Sequence, residues 1–352
     1  MDKKELTLLN LGDNLDTLMN LDPRGYGVCR ILYSGARKFT GEPLSVHAAR
    51  GLVENLKPGK KVFILTGFVL PPWNEAETDG IISSTVFASF VIKAFNAKPV
   101  MIVPEQCLKA IKAMCPVLGI GYTEDIDSDA QNTVCAISFT VDDSQAEKQA
   151  DDILSHGLPC VCFTNEAPGR NKNGIYHNAT GLNTTDIEPK YDVLFEKCKK
   201  LGIYNLSIGD LGNEIGMGAI EPHIRKYIPY AEEGGCRAGT GYGIVVDSKA
   251  DNILTATVSD WGCNAIMAAA AFMLGDTSLF HSKDVQSAVM DAAAEAGMLD
   301  MYGEARPYID GIGKNIVLPM ISLMKSLIEY PPTVADKTEK WFEKTLDKGF
   351  FN

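Results

Sequence analysis

The sequence predicts an α/β fold: a mostly parallel central sheet with helices on both faces, in three layers. Two observations lead there. Short apolar runs alternate with longer helical patterns along most of the chain, which is the signature of a parallel sheet covered on both sides. The chemically able side chains also fall just after the apolar runs, where loops at the carboxyl ends of parallel strands build ligand sites.

Taken in order, residues 1–58 are less regular and are expected to form an irregular N-terminal capping segment packed on the main domain. "KVFILTGF", Lys61 to Phe68, reads as a buried strand. An apolar helix over Ser84 to Ala97 and a strand over Lys98 to Pro104 follow, then a helix from Glu105 to about Met114. The alternation continues with strand Thr133 to Val141, helix Asp143 to His156 and strand Pro159 to Thr164. Helix Lys190 to Leu201 leads to strand Tyr204 to Ile208. Later strands are expected near Gly243 to Val246 and over Ile253 to Val258, with helices over Asn264 to Leu274, Asp284 to Gly297 and Asn315 to Ile328. An α/β catalytic domain is therefore drawn over 59–330. Residues 331–352, opened by a Pro pair and then charged, form a C-terminal tail.

Composition excludes several classes of function. A net charge of −12 opposes nucleic-acid binding, which needs a basic face. The longest apolar run, "AIMAAAAFML" from Ala265 to Leu274, is far short of the ~20 residues a membrane helix requires. Nine cysteines without a CxxC pair indicate reduced thiols, and the N-terminus has no signal-peptide character, so a cytoplasmic protein is expected. "EEGGCRAGTGYG", Glu232 to Gly243, matches neither phosphate-loop pattern and reads as a flexible hairpin or lid. No nucleotide cofactor is expected.

Four predicted strands end in acids. After the first come Glu77, Thr78 and Asp79; after strand 159–164 come Asn165, Glu166 and Arg170. After strand 204–208 come Asp210, Asn213 and Glu214; after strand 253–258 come Ser259 and Asp260. Plainer roles exist for each. Asp260 and Asp143 are good helix caps, Glu77 and Asp79 could be solvated, and Glu166 with Arg170 could be a surface pair. "SIGDLGNEIGMG", Ser207 to Gly218, is harder to explain that way. On a helical turn, Asp210, Asn213 and Glu214 share one face, and carboxylates at i, i+4 repel unless a cation lies between them. Oxygen-only ligands suit Mg²⁺ or Mn²⁺. Arg170 could instead clamp a substrate carboxylate through its planar fork.

The loop signatures "TGF…PP…ETDG" (Thr66 to Gly80), "NEAPGRNKNGIYHNATG" (Asn165 to Gly181), "IGDLGNEIGMG" (Ile208 to Gly218) and "SDWGCNAI" (Ser259 to Ile266) resemble the D-glutamate cyclase family. The chain departs from the family pattern at Leu211, at Asp260, where asparagine is usual, and in the "IISS" that follows ETDG. The resemblance implies a hydro-lyase converting D-glutamate to 5-oxo-D-proline with loss of water, and it makes a divalent metal plausible. Within the signatures, Asp210, Asn213 and Glu214 are assigned to metal. Glu77, Asp79, Glu166 and Arg170 are assigned to catalysis, with Glu77 as base; Thr66, Asn178, Ser259 and Asp260 are assigned to substrate. The expected partner is a small amino acid, with neither nucleic acid nor membrane; assembly into a homo-oligomer is left open. The alternatives are a metal-dependent phosphatase or hydrolase, and a binding protein without turnover.

Overall fold

The computed structural model describes residues 3–237, 239 and 241–349, with side chains for all of these but 334–339, 341 and 342. Its centre is a seven-stranded sheet in which every pairing is parallel. In chain order the elements begin with helices α1 (Lys3–Met19), α2 (Val28–Thr40) and α3 (Leu44–Asn55). Strand β1 (Lys61–Thr66) is followed by a small hairpin of β2 (Val69–Leu70) and β3 (Glu75–Ala76), then α4 (Ile81–Phe95) and β4 (Lys98–Val103). Next come α5 (Leu108–Leu118), β5 (Gly121–Thr123), β6 (Thr133–Ser138), α6 (Asp143–Ser155) and β7 (Pro159–Asn165). The second half holds α7 (Tyr191–Lys200), β8 (Tyr204–Gly209), α8 (Glu221–Tyr227), β9 (Asn252–Thr255) and α9 (Ser259–Met273). It closes with α10 (Lys283–Glu295), a hairpin of β10 (Tyr308–Ile309) and β11 (Ile312–Gly313), and α11 (Lys314–Leu346).

The sheet order is β5-β6-β4-β1-β7-β8-β9. From β1 the chain adds β4, then the edge strand β5 and, between them, β6; it then crosses to the other side of β1 and adds β7, β8 and β9 in order. The direction therefore reverses between β1 and β7, whose last residues, Thr66 and Asn165, are register partners. Such a reversal leaves a crevice at the carboxyl ends of the strands, because the flanking connections depart to opposite sides.

Helices α4 and α9 pack against each other beside this crevice. Both are apolar almost all round: every residue from Ile81 to Ile92 and from Ser259 to Ala271 is buried. A helix without a polar face has to lie between layers. The alanines 268–271 are fully buried, and a side chain at Gly262 would meet Leu254 at 2.5 Å, so α9 lies tight against the sheet.

Several expectations differ in detail. The first 58 residues carry three helices rather than irregular chain, and α1 and α3 pack on α9. Residues 243–246 form no strand, whereas the edge strand β5 was not foreseen; at three residues it is too short to show a period. The proline pair Pro331–Pro332 lies inside α11, which runs on to Leu346. No helix among the described residues is long and apolar enough to cross a membrane.

Candidate active site

The acids after β1, β7, β8 and β9 do meet at the crevice, and Arg24, Asp310 and Glu188 stand with them. Oxygens of Asp79, Asp210 and Asp310 lie within 4.8 Å of one another, as do those of Glu166, Asp210 and Glu214. Asp210 belongs to both groups and is the centre of the cluster. All five carboxyl-bearing residues are buried.

Local chain geometry explains how they are held. Glu214 folds back so that Oε1 accepts the N–H groups of Asp210 (3.1 Å) and Leu211 (2.8 Å), while Oε2 accepts that of Gly212 (2.8 Å). The segment is a loop, not the helical turn expected, and Glu214 is its internal cap. Gly209 permits the fold-back, since a Cβ there would lie 2.4 Å from Glu214 Oε2. Asp210 Oδ1 and Asn213 Oδ1, by contrast, are buried with no hydrogen-bond partner. Asn213 uses its amide to donate to the His177 carbonyl at 3.0 Å.

Asp79 ties the starts of the two central helices together. Asp79 precedes α4, yet its carboxylate accepts the N–H groups of Ser259 (3.1 Å) and Asp260 (2.9 Å) in the first turn of α9. It also accepts from Gly80. Asp260 accepts from Asn264 at 3.0 Å and lies by Ser83, in the first turn of α4, while its Oδ1 has no hydrogen-bond partner. The free N–H groups at the start of α9 are thus met by a carboxylate from the segment that leads into α4. The departures from the family pattern at "IISS" and at Asp260 are therefore contact partners. Burial raises the Asp260 carboxyl to about 7, against the pull of Ser83 and Asn264.

Glu166 sits in the left-handed region at φ 49°, a conformation that is costly for a residue with a Cβ and often marks a functional site. Its Oε2 accepts from Ser259 Oγ at 2.5 Å. Burial, then the charges of Asp210, Glu214, Asp79 and Glu77, push its carboxyl well above the ordinary range. Glu77 is half-buried, and burial with the fields of Asp310, Asp79 and Glu188 raises it likewise, Arg24 opposing. Asp210 and Asp79 are raised for the same reasons. Thr66 lies fully buried at the end of β1 with no partner for its hydroxyl.

The remaining expected residues stand elsewhere. Arg170 pairs with Asp192 and Asp143 and lies over the Tyr176 ring, in a network at the start of α7. Asn178 closes its own turn, accepting from Thr180 and Leu182. Asp143 is exposed, and Asp142 is the cap of α6.

The sequence reading missed Arg24, Asp310 and Glu188. Arg24, from the loop between α1 and α2, pairs with Asp310 and donates to the Thr257 carbonyl at 2.7 Å. Asp310 is the first turn residue of the β10–β11 hairpin, at φ 48°. An Asp-Gly turn between apolar residues was the available signal for the hairpin, though not for its aspartate being buried. Glu188, fully buried, accepts from Val69 N–H at 3.2 Å, and burial lifts it to about 8.

The donor set is oxygen-only, dense in negative charge and short of hydrogen-bond donors at Asp210. Burying like charges together is prohibitive unless they are neutralised by protons or by a cation. Carboxylates at this spacing with an unpartnered oxygen fit Mg²⁺ or Mn²⁺. The oxygens of Asp79, Asp210 and Asp310 stand close enough to hold the ion; the Asp79 oxygens, like those of Glu214, also accept backbone N–H groups.

Comparison with known proteins agrees with the loop signatures. The profile described as "D-glutamate cyclase-like, C-terminal" matches residues 15–325. A curated relative, the human "D-glutamate cyclase, mitochondrial", is 34% identical over 125 residues, which is 35% of this chain and 18% of that protein. The chain thus covers less than a fifth of that relative's length in the alignment. The profile takes in the site from Arg24 to Asp310 and all seven strands of the sheet, so this chain belongs to the D-glutamate cyclase-like C-terminal family.

Proposed function

We propose that the protein is a hydro-lyase that closes D-glutamate, or a closely related amino acid, to 5-oxo-D-proline. The observation that carries this reading is the enclosed acid cluster at the sheet crevice, centred on an unpartnered Asp210 oxygen.

Cyclisation joins the α-nitrogen to the γ-carbon. Two protons must leave the ammonium group, and two must reach the departing carboxylate oxygen, which goes as water. Two acids held above their ordinary range suit that exchange. Glu77, half-buried at the edge of the cluster, is the candidate base for the ammonium proton. Glu166, protonated and oriented by Ser259 Oγ, is the candidate donor to the leaving oxygen. Asp79 holds the first turn of α9, and with it Ser259, in place. When bound at Asp79, Asp210 and Asp310, a divalent cation would supply positive charge for the otherwise unreactive γ-carboxylate. Holding the two ends of the flexible substrate together would contribute much of the rate in a ring closure.

Incubation with D-glutamate, with and without EDTA, tests the reading by lactam formation. Lactam that disappears in Glu77→Gln and Asp210→Asn supports it; full activity in both variants overturns the site assignment. Release of phosphate from simple esters without lactam would favour the phosphatase alternative. That alternative must bring a phosphate dianion into the same crowd of carboxylates. Buried thiols without disulfides support a reducing compartment such as the cytoplasm.

A further inference from the structure

We infer that Arg24, in the N-terminal helical segment, is the anchor for the substrate's α-carboxylate; the inference rests on the reading above. A glutamate entering this site carries two carboxylates into a cluster of acids, so its α-carboxylate needs a positive partner. Arg170, the guanidinium near the strand-end motifs, is committed to Asp192 and Asp143. Arg24 pairs with Asp310, a member of the cluster, and its charge opposes the rise of Glu77 and Asp210.

Its bonding leaves capacity for a ligand. A guanidinium has five N–H donors. Arg24 spends one on Asp310 and one on the Thr257 carbonyl, and its Nε is buried without a hydrogen-bond partner. The two bonds, to Thr257 after β9 and to Asp310 in the β10–β11 hairpin, fix the plane of the fork, with the Tyr26 ring 5.1 Å away. A planar fork held in this way matches a carboxylate and discriminates against an amide, which offers one acceptor and a clashing donor. Besides the oxygen it offers to a cation, Asp310 orients Arg24, and towards the α-carboxylate it acts as a positioning residue. A purely structural strap between the N-terminal loop and the β10–β11 hairpin would show no such discrimination.

The test is steady-state lactam formation from D-glutamate and from its α-carboxamide, both able to close the same ring. Wild type is expected to prefer D-glutamate by roughly 100-fold in kcat/KM, the scale of a lost charge-assisted pair. In Arg24→Met that preference should collapse to near unity, mainly through KM, with Arg24→Lys intermediate. A preference unchanged in Arg24→Met, or equal losses for both substrates, overturns the anchor role. If wild type closes neither ring, the lyase reading fails by itself, and calorimetry with the non-cyclising dicarboxylate glutarate decides Arg24. Binding present in wild type and at least ~30-fold weaker in Arg24→Met and in Arg24→Lys supports the anchor. Equal binding in wild type and variants, or none in wild type, overturns it.

Discussion

Glu214 and Asp210 are both buried acids of one cluster, yet the structure gives them opposite jobs, and replacing each by its amide separates them. Glu214 accepts three backbone N–H groups through two oxygens. In Glu214→Gln the amide oxygen can keep the pair from Asp210 and Leu211, and the NH₂ group then faces the Gly212 N–H. One charge-assisted bond is lost, about 2 kcal/mol, and a buried donor is left unmatched, about 1–3 kcal/mol more. Removing a charge beside Glu166 and Asp210 works the other way, so the expected net loss of unfolding free energy is about 3 kcal/mol. Asp210→Asn has no such bond to lose, because Oδ1 is unpartnered. It also relieves repulsion from Asp310, Asp79 and Glu214. Urea unfolding with EDTA should therefore show Glu214→Gln destabilised and Asp210→Asn unchanged or stabilised. Adding Mn²⁺ at about 100 times its Kd should stabilise wild type by about 2.7 kcal/mol. Asp210→Asn should lose that increment. Equal stability losses in the two variants, or a full Mn²⁺ increment in Asp210→Asn, would refute the division of roles.

Other outcomes rest on neighbouring geometry. Arg170→Ala should lower stability by about 3 kcal/mol, since Asp192 is buried and would be left without its charge partner. Lactam kinetics of the folded fraction should hardly move, and a large KM increase would return Arg170 to the substrate site. Gly209→Ala should disrupt the Glu214 loop, because the new methyl falls 2.4 Å from Oε2. Its Mn²⁺-induced thermal shift should disappear. His281 tests pH linkage away from the site: burial, with the Lys325 and Lys93 charges, depresses it to about 4, despite the hydrogen bond to Gln286. The unfolded chain takes up this proton below about 6.5 and the folded chain does not. Stability is therefore expected to fall as pH drops from about 6.5 towards 4, by at most about 3 kcal/mol. His281→Asn should flatten that slope in a pH series of urea midpoints.

The strand order of motifs was legible because parallel strands announce themselves as apolar runs, and the loop after each run must lie on one rim. That reasoning found Glu77, Asp79, Glu166, Asp210, Glu214, Ser259 and Asp260 without coordinates. It assigned Arg170 to the same site because Arg170 comes soon after Glu166 in the chain. The chain between them forms an isolated bridge at Pro168 to Glu214 and another at Arg170 to Tyr176, which carries the guanidinium towards α7 instead. Arg24 and Asp310 could not be found in that way. Both lie in short turns far from the strand ends in sequence, where Arg and Asp ordinarily face water.

By itself the sequence determined the parallel sheet, the apolar central helices and the family, because these are written in periodicity and in ordered loop motifs. The roles within the cluster were decided only in three dimensions. Whether a carboxylate caps a loop, caps a neighbouring helix or keeps an oxygen free depends on which N–H groups reach it. Those groups come from segments up to 286 residues apart, as between Arg24 and Asp310. Local spacing carries no record of such encounters, which is why Arg24 and Asp310 came into view only when packing brought the two ends of the chain to the crevice.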